Sequence, residues 1–501
     1  MTERSTRFGD IRSLLQHATG QLPWELLCEQ IERVGPGELN TVVMPYVLGH
    51  LRQWPDNLRA APRRWIDGVM RGELGEEPWL RMVRALRLAY VSVSPEQASR
   101  LSQCAMWSEL SQLTLWGAGL GAAGAVALAE GDALLGLREL DLGYNKIGAE
   151  GVVALANWRC ALRLSALELR GNGLETSGAQ QLARAPWLGG LERLDLGDNK
   201  LDGHAIRALL AGRQLTGLRT LRLPDNALDA RACGAIGQAG ALDALETLHL
   251  SRAKLGDEEA CALAEGSGLP KLTTIELWGN HIGATGFCSL LNALQWTQLK
   301  HLDLAQNAIG RTWRPAHMGA IRARGTGLIR LDLSDNGLTI DALRAMIRAG
   351  IFEGIEHLNL SRNALTDEAL RLLVDTGCLA DVRVLDIGRN HLTSQSIIHL
   401  ASSRDVAKIE SLTLDGNEVG DAGAQALAAS QAMPALRSLK ICHAHVQEAG
   451  ARALASSPTL QRLSTLELRW NALGDGGRRA LAESPYLTES IRASWIQHGT
   501  G

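Results

Sequence analysis

Phenylalanine and tyrosine are nearly missing from this chain: three Phe and four Tyr in 501 residues, with all aromatics at 4%. Any core of this size must therefore be packed with aliphatic side chains. Long apolar runs are missing too. None approaches the roughly 18 residues that a membrane-spanning helix needs. Neither charge sign dominates, since the net charge is −3, so no overall bias toward nucleic acid or an anionic membrane is expected. The eight cysteines show no zinc-type pairs. Cys261 and Cys288 lie one sequence period apart on neighbouring expected helices. Helix axes pack about 8–10 Å apart, too far for a disulfide with Cα atoms within about 7 Å. Reduced, mostly buried thiols fit a cytoplasmic compartment. The start, MTERSTRFGD, lacks an apolar h-region. A cytoplasmic location, or delivery from the cytoplasm by a signal-independent route, is thus expected. High Ala, Arg and Gly usage suggests a GC-rich bacterial source.

What the chain does have is a repeated string. Leu191–Leu201, LERLDLGDNKL, reads L-x-x-L-x-L-x-x-N-x-L. The string begins again at Leu110, Leu137, Leu164, Leu218, Leu245, Leu272, Leu299, Leu328, Ile355, Val382, Ile409, Leu436 and Leu463. These 14 copies are separated by 27 residues in 12 of 13 intervals and by 29 in the other. A fixed period of this length predicts a solenoid. Each string predicts a short strand stopped at an Asn turn, and each is followed by an Ala- and Leu-rich helical half such as GAQALAAS (Gly423–Ser430). Eleven copies keep the Asn, whose amide bonds backbone groups of adjacent turns. Ala118, Ala253 and Ala444 interrupt the ladder, where waters or local shifts must compensate.

Over Leu110–Leu487 the chain resembles the ribonuclease-inhibitor-like leucine-rich repeat proteins. That resemblance implies an α/β horseshoe with parallel strands on the concave face, helices on the convex face, and binding on the inner side. Two spacings agree with it: strands sit about 4.8 Å apart and helices about 8–10 Å apart, so one of each per repeat forces curvature.

Residues 1–82 carry no string. Apolar residues recur at helical spacing in Ile11–Ala18, Trp24–Val34, Leu39–Trp54, Leu58–Met70 and Pro78–Leu88, punctuated by prolines. The first repeat of a solenoid exposes a raw core face, so a helical cap is expected there; a separate adaptor module is the alternative. LPWELL (Leu22–Leu27) followed by RRWIDG (Arg63–Gly68) resembles an F-box. Val83–Val93 is a degenerate opening repeat whose companion, Ser94–Glu109, supplies the first outer helix. The expected organisation is residues 1–82 as cap or adaptor, 83–487 as array, and 488–501 as C-terminal cap and tail. Trp495 and Ile496 would cover the last core layer, and the tail HGTG would fray. The 29-residue interval places two extra residues in Ala308–His317, either a drifted loop or a protrusion that meets a partner.

Catalytic and cofactor chemistry is not expected. Gly119–Gly124, GLGAAG, matches a dinucleotide fingerprint in isolation, but Leu120 occupies the buried column of Ile147, Leu174 and Leu201. Cys442, His443, His445 and His391 diverge too far for a metal. No P-loop or nucleophile–base set is present. The informative surface is the exposed side of the strands. Its central column runs Thr114, Asp141, Glu168, Asp195, Arg222, His249, Glu276, Asp303, Asp332, Asn359, Asp386, Thr413, Lys440 and Glu467, eight acidic and two basic. Flanking Arg138, Arg193, Arg219, Arg330 and Arg383 compensate in part. Trp116, Trp278 and Arg469 follow in the next column, with Tyr144 and Trp470 beside it. A solvent-facing strand position rarely needs Trp for folding, and exposed aromatics among charges are the usual anchors of interfaces. The expectation is a non-enzymatic scaffold, monomeric, that binds a protein with a basic surface and neither nucleic acid nor membrane. Trp116, Trp278 and Trp470 would anchor it, with Tyr144 and Arg469 beside them also partner-binding, while Glu168, Asp195, Glu276, Asp303 and Asp332 steer. Regulation of an enzyme, of the GTPase-activating or inhibitor type, is a second possibility implied by the resemblance. An F-box-like ubiquitin-ligase adaptor is a third.

Overall fold

The computed structural model describes residues 3–17, 20–34, 38–212, 214–293, 296–321 and 327–497. The chain forms two compact units, one of residues 1–227 with 239–245, the other of residues 228–238 with 246–501. Among the described residues no helix is long and apolar enough to cross a membrane.

The first unit opens with the helices Glu3–His17, Gln21–Glu32, Met44–Leu51 and Arg63–Arg71. The stretch Leu58–Met70, expected to be helical throughout, is broken. Pro62 fixes its own backbone and disfavours a helical residue before it, so only Arg63–Arg71 is helical. Before that proline a 3₁₀ turn, Asp56–Leu58, ends at Arg59, and Ala60 then bridges to Ala85 in parallel. The Arg59 carbonyl accepts from the amides of Arg84 and Ala85 (2.9 and 3.2 Å), and Ala61 N donates to Ala85 O (2.9 Å). Ala85 begins the first strand, so this segment covers a sheet edge that would otherwise present unpaired backbone. Arg59 itself is buried. Its guanidinium donates to the carbonyls of Met82 (2.9 Å) and Leu51 (3.2 Å). Burial lowers its pKa to about 10, which leaves it charged at neutral pH. The tryptophans of LPWELL and RRWIDG are core residues: buried Trp24 donates to Ala60 O (2.6 Å) and buried Trp65 donates to the Glu32 carboxylate. Pro78–Leu88, also expected at helical spacing, is a 3₁₀ turn, Pro78–Met82, followed by strand.

Six parallel strands follow in this unit: β1 Ala85–Arg87, β2 Gln112–Thr114, β3 Glu139–Asp141, β4 Ala166–Glu168, β5 Arg193–Asp195 and β6 Thr220–Arg222. Each pairs with the next in a register shifted by one repeat. A helix follows every strand but the last within the unit, from Pro95–Gln103 to Gly203–Ala211. The first of these starts at a capping box, in which Ser94 Oγ accepts from Gln97 N (3.3 Å) and Gln97 Oε1 accepts from Ser94 N (2.9 Å).

The second unit begins with the helix Ala230–Gly237 and continues with nine parallel strands: β7 Thr247–His249, β8 Thr274–Glu276, β9 His301–Asp303, β10 Arg330–Asp332, β11 His357–Asn359, β12 Val384–Asp386, β13 Ser411–Thr413, β14 Ser438–Lys440 and β15 Thr465–Glu467. They too pair in order. One repeat differs. Within the described residues between β9 and β10, a 3₁₀ turn, Pro315–Gly319, stands where the other repeats carry an α-helix. Trp313 in the two-residue insertion points inward and is buried, its ring 5.6 Å from that of His317. The insertion thus supplies a large side chain to the core beside that 3₁₀ turn. At the C-terminal end, Ile491 of the helix Glu489–Gln497 is buried and Trp495 half-buried. The Ile496 side chain and the tail 498–501 lie outside the described residues.

Strand after strand, the middle residue is buried while most of its two neighbours reach solvent. Past each strand the chain turns on Asn. Asn172 Oδ1 accepts from the amides of Asn145 (3.0 Å) and Ile147 (3.2 Å), and its Nδ2 donates to Leu142 O and Leu169 O (both 2.9 Å). The same bonds recur at Asn363 and Asn390. Where Ala253 replaces Asn, the compensation is a local shift, with Leu228 N bonding the Ala253 backbone carbonyl at 3.2 Å.

The residue just before the Asn position takes a positive φ in all 14 repeats: Gly117, Tyr144, Gly171, Asp198, Asp225, Arg252, Gly279, Gln306, Asp335, Arg362, Arg389, Gly416, His443 and Trp470. Only four of these are glycine, so the turn forces ordinary L-residues into the left-handed region. That strain is normally of order 1–3 kcal/mol per residue, and the Asn bonds around it offset the cost.

Candidate functional site

Column by column, the exposed face divides into a carboxylate row in mid-strand and an aromatic row where the chain leaves the strand. The carboxylates are not simply solvated. Asp141, Asp195, Asp303, Asp332 and Asp386 each turn Oδ1 back to the amide two residues on, at 2.8–3.0 Å. An aspartate in this column therefore ends the strand as well as charging its face. Asn359 does the same with its amide oxygen, accepting from Ser361 N at 3.0 Å. For Asp195 this role dominates: it is only 7% exposed, which corrects the expectation of a solvent-facing steering group.

Burial raises the pKa of Asp141, Glu168 and Asp386, and neighbouring carboxylates add to it. Asp303 is raised furthest, to about 6, by burial and then by the charges of Asp332 and Glu276. Glu276 is also met by His249 Nδ1, at 2.5 Å. Beside this row, β8 to β12 form a shallow depression of about 440 Å³ whose floor includes His301, Arg330 and His357. Burial and the Arg330 charge lower the pKa of both histidines.

The aromatic row lies in separate places. In the first unit, the half-buried Trp116 ring lies across Gly143, where a Cβ would come within 2.4 Å of Cε3. It packs against Tyr144 with ring centroids 4.9 Å apart. Tyr144, 41% exposed, lies in turn across Gly171, and Arg170 Nε donates to its hydroxyl at 3.2 Å. Large side chains and the glycines beneath them are therefore paired from one repeat to the next. In the second unit, half-buried Trp278 is covered by the Arg252 guanidinium, 4.5 Å from the ring centroid. Trp470 is 76% exposed and stacks on His443, with ring centroids 5.4 Å apart and planes 10° apart. Its neighbour Arg469 is held by Glu467 at 2.6 Å. Trp278 and Trp470 are seven strands apart, about 34 Å at the usual strand spacing. Any anchors here are distributed along a surface and do not converge on a pocket.

Other motifs are absorbed by the fold. In GLGAAG, Leu120 is buried, its amide donates to Asn145 Oδ1 (3.2 Å), and the Gly121 amide donates to Asn145 O (2.9 Å). These two amides are therefore spent on the Asn ladder. His443, part of the histidine–cysteine cluster, gives its ring to Trp470. Among the described residues no group of three or more His, Cys, Asp or Glu side chains is placed to hold a metal. All eight cysteines are free thiols, and Cys261 Sγ faces Ser289 Oγ at 3.1 Å.

A family model described as Leucine Rich repeat matches residues 137–156, 355–374, 407–428 and 459–482. No curated protein matches the chain. Among solved structures, an internalin from Listeria monocytogenes is 17% identical over 87% of this chain and 96% of its own, with a TM-score of 0.39. The leucine-rich repeat domain of APL1 is 15% identical over 77% of this chain and 87% of its own, at a TM-score of 0.40. TLR13, in its complex with ssRNA13, is 18% identical over 78% of this chain at a TM-score of 0.43, and this chain spans 55% of it. Fourteen copies of one string, each folded as a parallel strand ending at a ladder Asn or its replacement, give this chain a leucine-rich repeat fold.

Proposed function

We propose that the chain is a non-enzymatic scaffold that binds a protein partner along the exposed face of its strands. Trp116, Tyr144, Trp278, Trp470 and Arg469 anchor the partner. Glu168, Glu276, Asp303 and Asp332 steer its basic groups, and Asp195 contributes charge from beneath the surface. Residues 1–82 serve as a helical cap, residues 83–487 present the face, and residues 488–501 close the array. The pairing of Arg59–Ala61 with β1 supports the cap. The 27-residue period and the Ala-rich helices support a ribonuclease-inhibitor-like subtype.

One observation carries the reading. An indole that is 76% exposed, in a left-handed residue and stacked on an imidazole, does nothing for the core and is held in place for contact. Aromatic anchors of this kind supply about 2 kcal/mol or more each at interfaces. Affinity capture from the source cells with the wild type and with W116A/W278A/W470A tests it. A partner retained by the wild type should bind the triple variant at least about 30-fold more weakly, the equivalent of that energy. Equal affinity removes the assignment.

A further inference from the structure

A second surface, opposite in charge to the carboxylate row, lies in the first unit on the turns that lead into β1 to β4. There a depression of about 470 Å³ is lined by Leu135 and Leu162 together with Arg138, Arg159 and Arg163. The two leucines occupy the same position in successive repeats and are 56% and 63% exposed. They are large apolar side chains outside the strand string, with no part in the core. The three arginines are exposed, and among the described residues no hydrogen bond or ion pair engages their side chains. Other arginines near the strands are matched: Arg193 by Glu139, Arg383 by Glu356 and Glu410, and Arg84, at the rim of this same depression, by Glu109. Asp56 and Glu109, the two carboxylates in the lining, both lie against Arg84, so the local balance is positive, with Arg138, Arg159 and Arg163 unmatched among the described residues around two exposed leucines.

We propose that this depression docks an acidic peptide segment carrying apolar residues, its carboxylates on Arg138, Arg159 and Arg163 and its aliphatic side chains on Leu135 and Leu162. Guanidinium groups pair with carboxylates in a two-pronged geometry, and exposed leucines add burial of about 25 cal/mol per Å² of apolar surface covered. The surface recedes between the arginines, which suits an inserted segment better than a flat bilayer. This site is separate from the strand face in place, in charge and in the ligand it selects.

The test uses the full chain and a short fluorescent peptide of Glu and Leu at helical spacing. A Lys/Leu peptide, a Glu/Ser peptide and phosphatidylserine vesicles serve as competitors of different chemistry. The Glu/Leu peptide should bind saturably and more weakly as salt rises. R138E/R159E/R163E should weaken it at least about tenfold, and L135S/L162S severalfold, with an unchanged thermal transition because all five side chains are exposed. The Lys/Leu peptide should not bind, and Glu/Ser should bind more weakly than Glu/Leu. Absence of peptide binding, equal binding by the charge-reversed variant, or capture of vesicles without peptide would each overturn the proposal. The tryptophan variants should bind the peptide like wild type, which keeps this outcome separate from that of the strand face.

Discussion

Asp303 shows how one side chain can serve the fold and burden it at once. Its Oδ1 closes the turn at Ala305 N (2.9 Å), yet burial and two neighbouring carboxylates raise its pKa to about 6. An unfolded aspartate titrates near about 3.9. Between those values the folded chain binds the proton more tightly, so this residue's contribution to stability is fully present below about 3.9 and is lost as pH rises through about 6. Asp303→Asn keeps the turn-closing oxygen, as Asn359 already does in the same column. The variant should match wild type in urea near pH 4 and exceed it at pH 7.5 by about 2–3 kcal/mol. A variant that is no more stable at pH 7.5 would contradict the linkage. A second test concerns the glycines under the aromatic row. Gly171 and Gly173 both have positive φ, +68° and +64°, but only Gly171 has a ring above it, 2.5 Å from where a Cβ would sit. Gly173→Ala should cost about 1 kcal/mol of backbone strain. Gly171→Ala should cost distinctly more and should displace Tyr144, read by the rotational freedom of its ring signals in NMR. Equal costs would mean that the ring yields freely.

At the scale of the repeat, the Asn carries most of the turn. Asn363 is buried, its Oδ1 accepts from Asn336 N (2.9 Å) and Leu338 N (3.1 Å), and its Nδ2 donates to Leu333 O (2.8 Å) and Leu360 O (3.0 Å). Asn363→Ala leaves these groups to be re-paired at about 1–3 kcal/mol for each that stays unsatisfied. A loss of about 3 kcal/mol or more in the unfolding free energy from urea titration is expected, whereas substitution of exposed Gln395 should lie within about 0.5 kcal/mol. The existence and register of the strands were legible in the sequence because they repeat every 27 residues, and a periodic core leaves a periodic string. The left-handed residue before each Asn was not. Tyr, Trp, Arg, Gln, Asp and His occupy it along with Gly, because the turn is imposed by the ladder rather than by the residue's own preference. Asp195 looked exposed because alternation places it outward, and it is covered because its carboxylate folds back on Gly197. Trp313 read as a feature of a loop because the string does not show that its repeat substitutes a 3₁₀ turn for the helix. Trp470 was visible as a candidate because a large aromatic in a turn column is chemically out of place. The Leu135–Arg163 depression was not, since its residues come from turns that belong to no part of the string.

Across the whole molecule, a repeat array bonds each turn mainly to its neighbours, so damage should stay near where it is made. Arg59 offers a sharp test, because it lies at one end of the strand series. Its guanidinium satisfies Met82 O and Leu51 O, and its carbonyl receives the amides of Arg84 and Ala85. Arg59→Ala removes the side-chain bonds from buried carbonyls and should lower the stability of this region by about 2–4 kcal/mol. The strand edge would then open more often, and the exchange of amides in residues 38–88 should quicken by about one and a half to three orders of magnitude, as about 1.4 kcal/mol corresponds to each factor of ten. Residues 246–497 belong to the other compact unit and have none of these bonds, so their protection should not change. Hydrogen exchange read by mass spectrometry would separate the cases. Protection lost only near β1 would show that residues 1–82 stabilise the array locally, by covering its first strand. Protection lost evenly to the last repeat would instead mean that the chain opens as one cooperative body, and a local cap would no longer account for the helices that precede the strands.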